Sequence, residues 1–294
     1  MSTIFNAGGL RRTSAAAVGL CVAALLLSGY SPAHAATTAH TPTSTIPGAM
    51  PRPTARDNHT AGSQIAKHEG NYAAASFASR VPASGAVRGM DVSGHQGVVD
   101  WAAAYDGGAR FAYIKATEST TYTNPYSEQQ FNGAAEAGIL RAAYHFALPD
   151  RSDGATQADY FLDNGGGGGA DGRTLPPAVD MEYNPYGATC YGLSHVEMVG
   201  WVKDFSDTVH ARTGRWPTIY TSTTWWSQCT GDLADMSSTN SLWVAGYAPA
   251  VGPLPYAWSH YAFWQYASSG TLVGDQNVFN GTYGALQALA GSAA

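Results

Sequence analysis

Ala178-Val179-Asp180-Met181-Glu182-Tyr183 places two acids two residues apart at the end of an apolar run. A strand alternates its side chains between faces, so Asp180 and Glu182 project to the same side. Two carboxyls that close cannot both ionise freely at neutral pH. One of them keeps its proton, and a protonated carboxyl at pH 7 is what a general acid needs. A single acid at a strand end is most often a cap or a loop salt bridge. The paired spacing is what points to chemistry.

Working outward, short strand-like runs recur from residue 87 onward: Arg88–Val92, Phe111–Lys115, Leu140–His145, Ala178–Glu182, Thr218–Thr221, Leu242–Tyr247, Ala262–Tyr266 and Asp275–Phe279. Helical stretches fall between the early ones, at Trp101–Tyr105, Tyr126–Ala137, Ala155–Leu162 and Ser194–Thr213. Asp100 is placed to cap the first, and Ser194 with Glu197 forms a capping box for the last. Alternating strands and helices imply parallel strands with helical crossovers. Eight such strands in roughly 200 residues suit one closed barrel rather than two domains. Too little sequence separates the last three strands for full helices. The expectation is therefore an α/β fold, a single TIM-like barrel of modified (β/α)5(β)3 type, regular in its first five units. Gly165 to Gly169 is an unbroken glycine run with no phosphate-binding spacing, expected to be a flexible loop before the fourth strand.

In a barrel, the C-terminal ends of the strands line the active site. Asp91 ends the first apolar strand and Asp275 opens the last, and closure makes those strands neighbours. Asp91, Asp275, Asp180 and Glu182 would then share one mouth with no Lys or Arg at those four positions. Such an arrangement is costly and is usually kept for function. Glu118 is a weaker rim candidate. His145 reads as a core or hydrogen-bonding residue and His95 as a loop residue. Asp150, Asp153 and Asp159 read as solvated.

Residues 1–35 carry the Arg11–Arg12 pair, an apolar run from Ala15 to Leu27, Pro32 and the small-x-small site Ala33-His34-Ala35. This is the layout of a secretory signal peptide, and the apolar run is too short to remain as a membrane anchor. Residues 36–85 read as a Thr/Pro/Ala-rich linker or propeptide-like segment; its later, Ala-rich part either folds back as a short helix or stays loose. Residues 86–290 form the expected catalytic domain. Export leaves Cys190 and Cys229, an even pair that reads as one disulfide, worth roughly 4 kcal/mol in the chain-entropy model. The chain has 12% charged residues and a net charge of −6, so no basic field exists to hold nucleic acid or an anionic membrane. No Cys/His spacing suits zinc, so neither metal nor cofactor is expected. Eight Trp and 17 Tyr supply a core and some faces for stacking on sugar rings.

In order along the chain, Gly89-Met90-Asp91-Val92-Ser93 with His95-Gln96-Gly97, Lys115-Ala116-Thr117-Glu118 with Tyr122, Pro125 and Asn132, Ala143-Tyr144-His145-Phe146, Asp180-x-Glu182, Tyr220, Trp243, Tyr247, Trp264-Gln265-Tyr266 and Asp275-x-Asn277-x-Phe279 resemble the motifs of the glycoside hydrolase family 25 muramidases, the Chalaropsis-type lysozymes. The resemblance implies cleavage of the β-1,4 bond from N-acetylmuramic acid to N-acetylglucosamine in peptidoglycan glycan strands, by a monomer. It implies Glu182 as proton donor and Asp180 as the residue that orients or stabilises the acetamido group. It also implies Asp91 and Asp275 as supporting acids, and Glu118, Tyr144, Tyr220, Trp243, Tyr247, Trp264 and Gln265 as substrate-binding residues. Two departures stand out: a short stretch between Tyr266 and Asp275, and Gly274 where an apolar residue is common. Family 18 chitinases carry two further acids before the pair, at positions held here by Leu175 and Ala178. A metal-dependent polysaccharide deacetylase with His95, Asp91 and Asp180 as ligands, and a glycan-binding barrel without catalysis, are the alternative readings.

Overall fold

The structure is a computed structural model that describes residues 58–70, 86–169 and 171–292. The signal-peptide reading and the Thr/Pro-rich stretch fall outside those residues. The first described helix, α1 (Ser63–Glu69), lies in the Ala-rich part of the expected linker.

The barrel strands are β1 (Val87–Val92), β2 (Ala109–Glu118), β4 (Leu140–Phe146), β5 (Ala178–Asp180), β6 (Thr218–Ser222), β7 (Leu242–Ala245), β8 (Phe263–Ala267) and β9 (Asp275–Phe279), with β3 (Tyr122–Thr123) folded back as a hairpin on the end of β2. Their order is β1-β9-β8-β7-β6-β5-β4-β2, and β1 pairs with β2 to close the ring. All neighbours are parallel except β9, which runs antiparallel to both β8 and β1. Parallel strands covered on both faces read as continuous apolar runs, which is why the sequence shows runs here rather than alternation.

Helices α2 (Trp101–Asp106), α3 (Ser127–Glu136), α4 (Gly154–Phe161), α5 (His195–Thr213) and α6 (Thr223–Thr230) follow the first five barrel strands, and α7 (Tyr283–Gly291) follows the last. The Asp100 carboxylate accepts from the Ala103 N–H, and Ser194 and Glu197 form the reciprocal capping box of α5. The expected bare strands at the end are observed: no helix separates β7 from β8, or β8 from β9, among the described residues. α6, capped by Ser222, was not read from the sequence, because its eight residues carry two Trp, three Thr and no charge. The strand expected over Ala178–Glu182 stops at Asp180, so Glu182 stands just past the ladder.

The glycine run is not simply a flexible loop. Leu162–Gly166 extends α4 by a π-turn, Gly165 takes φ 96°, and a Cβ on Gly166 would sit 2.4 Å from the Phe161 ring. Cys190, in the loop after β5, is bonded to Cys229 in α6 across a sequence separation of 39. Inside the barrel, Tyr113 stacks on Trp243 at 4.4 Å, and Phe263 meets both Tyr113 and Phe111. These rings fill the floor. A second apolar cluster, including Met90, Ile114, Trp101 and Ile139, seals β1 and β2 against α2 and α3.

Candidate active site

Asp180 ends β5, and Glu182 follows two residues later; both are fully buried. Burial, and then the charge of Glu182, push the Asp180 carboxyl well above its ordinary range. Neither Asp180 oxygen has a hydrogen-bond partner among the described residues. Burial likewise raises Glu182 to about 8.

The reversed direction of β9 brings the other two acids in. Because β9 starts at the mouth, Asp275 lies opposite Asp91, the register partner near the end of β1. The Asp91 carboxylate accepts from Gln265 Nε2 at 2.8 Å and Asn277 Nδ2 at 2.7 Å, yet burial still lifts it to about 7. Asp275 accepts from Gln265 at 3.3 Å and is raised by burial, by Asp91 and by Glu182.

A cation does stand among the acids, supplied from a fifth position in the middle of a strand. Lys115 is fully buried in the middle of β2 and pairs with Glu118. Burial lowers its pKa, while Glu118, Asp180 and Glu182 pull it back up. Glu118, although buried, is held below its usual value by Lys115 and His59. The signal for Lys115 was a lone Lys in an otherwise apolar strand.

Tyr144, Tyr220, Tyr247 and Gln265 surround the acids. The hydroxyls of Tyr220 and Tyr247 both donate to Gln265 Oε1 at 2.7 Å, which turns the amide Nε2 toward Asp91. Trp243 lies below them: its indole donates to Asn277 Oδ1 at 2.8 Å, and Asn277 holds Asp91. Trp264 alternates away from Gln265, packs on Tyr261 and Tyr266, and donates to the Gly246 carbonyl. His145 is buried, with Thr117 on Nδ1 and Gln157 on Nε2, and burial lowers its pKa to about 4. His95 is exposed and its Nε2 contacts the Asn58 carbonyl. Among the described residues, no group of three or more His, Cys, Asp or Glu stands where it could hold a metal ion.

Residues 58–70, which sequence reasoning left out of the site, enter the same mouth. The backbone N–H groups of Gly62, Gln64 and Ile65 donate to the Glu182 carboxylate at 3.2, 3.1 and 3.0 Å. His59 bonds Glu118 through both its backbone N–H and its ring. No composition or spacing signal marks this segment, because its backbone makes most of the contacts.

Comparison with known proteins gives a consistent answer. A family model described as glycosyl hydrolases family 25 matches residues 90–275. An N,O-diacetylmuramidase from Chalaropsis sp is 46% identical over 208 residues, covering 69% of this chain and 99% of that one. The structure of a muramidase from Acremonium alcalophilum is 52% identical with a TM-score of 0.68, covering 70% of this chain and 99% of that chain. A family GH25 lysozyme from Aspergillus fumigatus superposes with a TM-score of 0.69 at 46% identity, with 70% and 99% covered.

Proposed function

The chain belongs to glycosyl hydrolases family 25, and on that premise we propose that it is an exported, monomeric muramidase. It hydrolyses the β-1,4 bond from N-acetylmuramic acid to N-acetylglucosamine in peptidoglycan. The observation that carries this reading is the acid pair at the end of β5, Asp180 and Glu182 two residues apart, in one barrel mouth with Asp91 and Asp275, the register partners of β1 and β9. Two carboxyls that close do not both ionise at neutral pH, which leaves one proton for Glu182 to give and one negative charge for Asp180 to keep.

Glu182 protonates the glycosidic oxygen as its bond to the anomeric carbon breaks. The acetamido oxygen of the muramic acid attacks that carbon from the opposite face and closes an oxazolinium ring. Asp180, with no competing hydrogen bond among the described residues, stabilises the positive charge. Water then attacks the anomeric carbon, the ring oxygen leaves, and Glu182 takes the water's proton. The configuration is retained, the substrate-assisted form of two-carboxylate glycosidase chemistry. Asp91 and Asp275, tied by Gln265 and Asn277, support the opposite wall. Glu118, Tyr144, Tyr220, Tyr247 and Gln265 bind the glycan. Trp243 and Trp264, expected to bind glycan, take other parts: Trp243 holds Asn277 from below, and Trp264 packs on Tyr261 and Tyr266 on the opposite face of β8 from Gln265. The Arg11–Arg12 pair, the following apolar run and Ala33-His34-Ala35 support export.

Glu182→Gln should lower the release of reducing ends from purified peptidoglycan by about two to four orders of magnitude while the fold is kept. A Glu182→Gln chain that cuts at the wild-type rate would place the acid elsewhere.

A further inference from the structure

An enzyme that cuts a polysaccharide needs its acids open to a ligand, yet Glu182 and Asp180 have no exposed surface. What covers them is the chain itself. The family match begins at residue 90, within β1, so residues 58–70 lie before the part of the chain that the family model covers. A connecting segment ordinarily runs over the surface. This one turns inward, with Ala61 and Ile65 fully buried.

Its contacts fall on the residues assigned to catalysis and glycan binding. Three backbone N–H groups occupy both Glu182 oxygens. The Ala61 N–H donates to the Tyr144 hydroxyl at 3.3 Å, and Gln265 Nε2 donates to the Ala61 carbonyl at 3.1 Å. The Tyr247 hydroxyl lies 3.3 Å from the Gly62 carbonyl, and Lys115 donates to the His59 carbonyl. At the far end Glu69 accepts from Tyr183 and Ser222, and His68 stacks on Tyr183 at 4.3 Å. The fit leaves no slack: a Cβ on Gly62 would meet the Tyr247 hydroxyl at 2.0 Å and Gln265 Oε1 at 2.5 Å, and Gly62 takes φ 85°. A sugar ring cannot enter while these groups are in place. With both oxygens taken by backbone N–H groups, Glu182 has no face turned to a glycosidic oxygen.

We propose that Asn58–Gly70 is an intramolecular inhibitor, which occupies the glycan site with its backbone and keeps the barrel closed until it leaves. The assignment rests on the proposed roles of Glu182 and its neighbours. A site that is competent only when the segment is out binds its substrate weaker in proportion to the open fraction. Displacing the segment therefore raises both binding and rate.

The test compares the full chain with full-chain Gly62→Val and Ile65→Asp, each checked for the barrel's near-ultraviolet circular dichroism. Val cannot fit at Gly62, and Asp at position 65 adds a charge beside Glu182; neither residue belongs to the barrel. Release of reducing ends from purified peptidoglycan should rise on the order of tenfold or more, and more protein should pellet with peptidoglycan at 4 °C. If both folded variants match the wild type in rate and in pelleting, the inhibitor is overturned. If none of the chains cuts, but the variants pellet and the wild type does not, the inhibitor stands and the catalytic assignment falls. Should one variant fail to fold, the other decides.

Discussion

Asp180 shows at the scale of one residue what the site demands. Its carboxyl is buried, unpartnered among the described residues and raised by burial and by Glu182. Because its folded pKa lies above its unfolded value, the folded state holds the proton more tightly, and stability is lost as pH rises through the folded pKa. Asp180→Asn removes that ionisation. The variant should gain about 1–2 kcal/mol at pH 8 and less at pH 4 in urea unfolding, while its turnover falls. A gain of the same size at both pH values would reject the ionisation account. The pair itself was legible, because an acid-x-acid spacing at the end of an apolar run is a strong local signal. Lys115 is the counter-case: the residue was quoted within a strand motif, but nothing local says that its ammonium reaches Glu118, Asp180 and Glu182.

At the scale of an element, β9 does what a parallel eighth strand could not. A strand antiparallel to both neighbours begins at the mouth, so its first residue, Asp275, meets Asp91. Gly274 makes that entry possible. It takes φ 76°, and a Cβ there would sit 2.1 Å from the Asp91 carbonyl oxygen, so this position admits only a residue without a side chain. Gly274→Val should cost about 1–3 kcal/mol in thermal unfolding and slow peptidoglycan cleavage by displacing Asp275 and Asp91. A Gly274→Val chain with unchanged stability and rate would show that the close approach is unimportant. Strand positions were legible from apolar runs, and α5 from its capping box. The direction of β9 was not, since five residues of strand carry no mark of which neighbour they pair with. The helix α6 was hidden because a short, charge-free, Trp- and Thr-rich run lacks helical periodicity.

For the whole molecule, closing the ring gathers acids from β1, β5 and β9 into one dry mouth. Glu182 is raised to about 8 and Asp91 to about 7, and Asp180 and Asp275 are also raised. Between the ordinary carboxylate range and those values the folded chain binds more protons than the unfolded chain, so unfolding free energy falls as pH rises from about 5 to 8. His145, lowered from 6.5 to about 4, acts oppositely in the lower part of that range but is one group against four acids; Glu118 and Asp171, both lowered, lose their contribution only in more acidic solution. The urea midpoint should therefore be higher at pH 5 than at pH 8. A midpoint that climbs across that range would mean the acids are not buried together in solution.

The sequence by itself determined the class of fold, the identity of the acid pair and the cysteine partners, because each is written in local pattern, count or spacing. Only the tertiary structure decided that β9 runs backward, that Lys115 stands among the carboxylates, and that residues 58–70 occupy the mouth. Those outcomes depend on contacts between residues far apart in the chain. In the segment's case they are made mostly by backbone amides and carbonyls, which every residue carries and no sequence distinguishes.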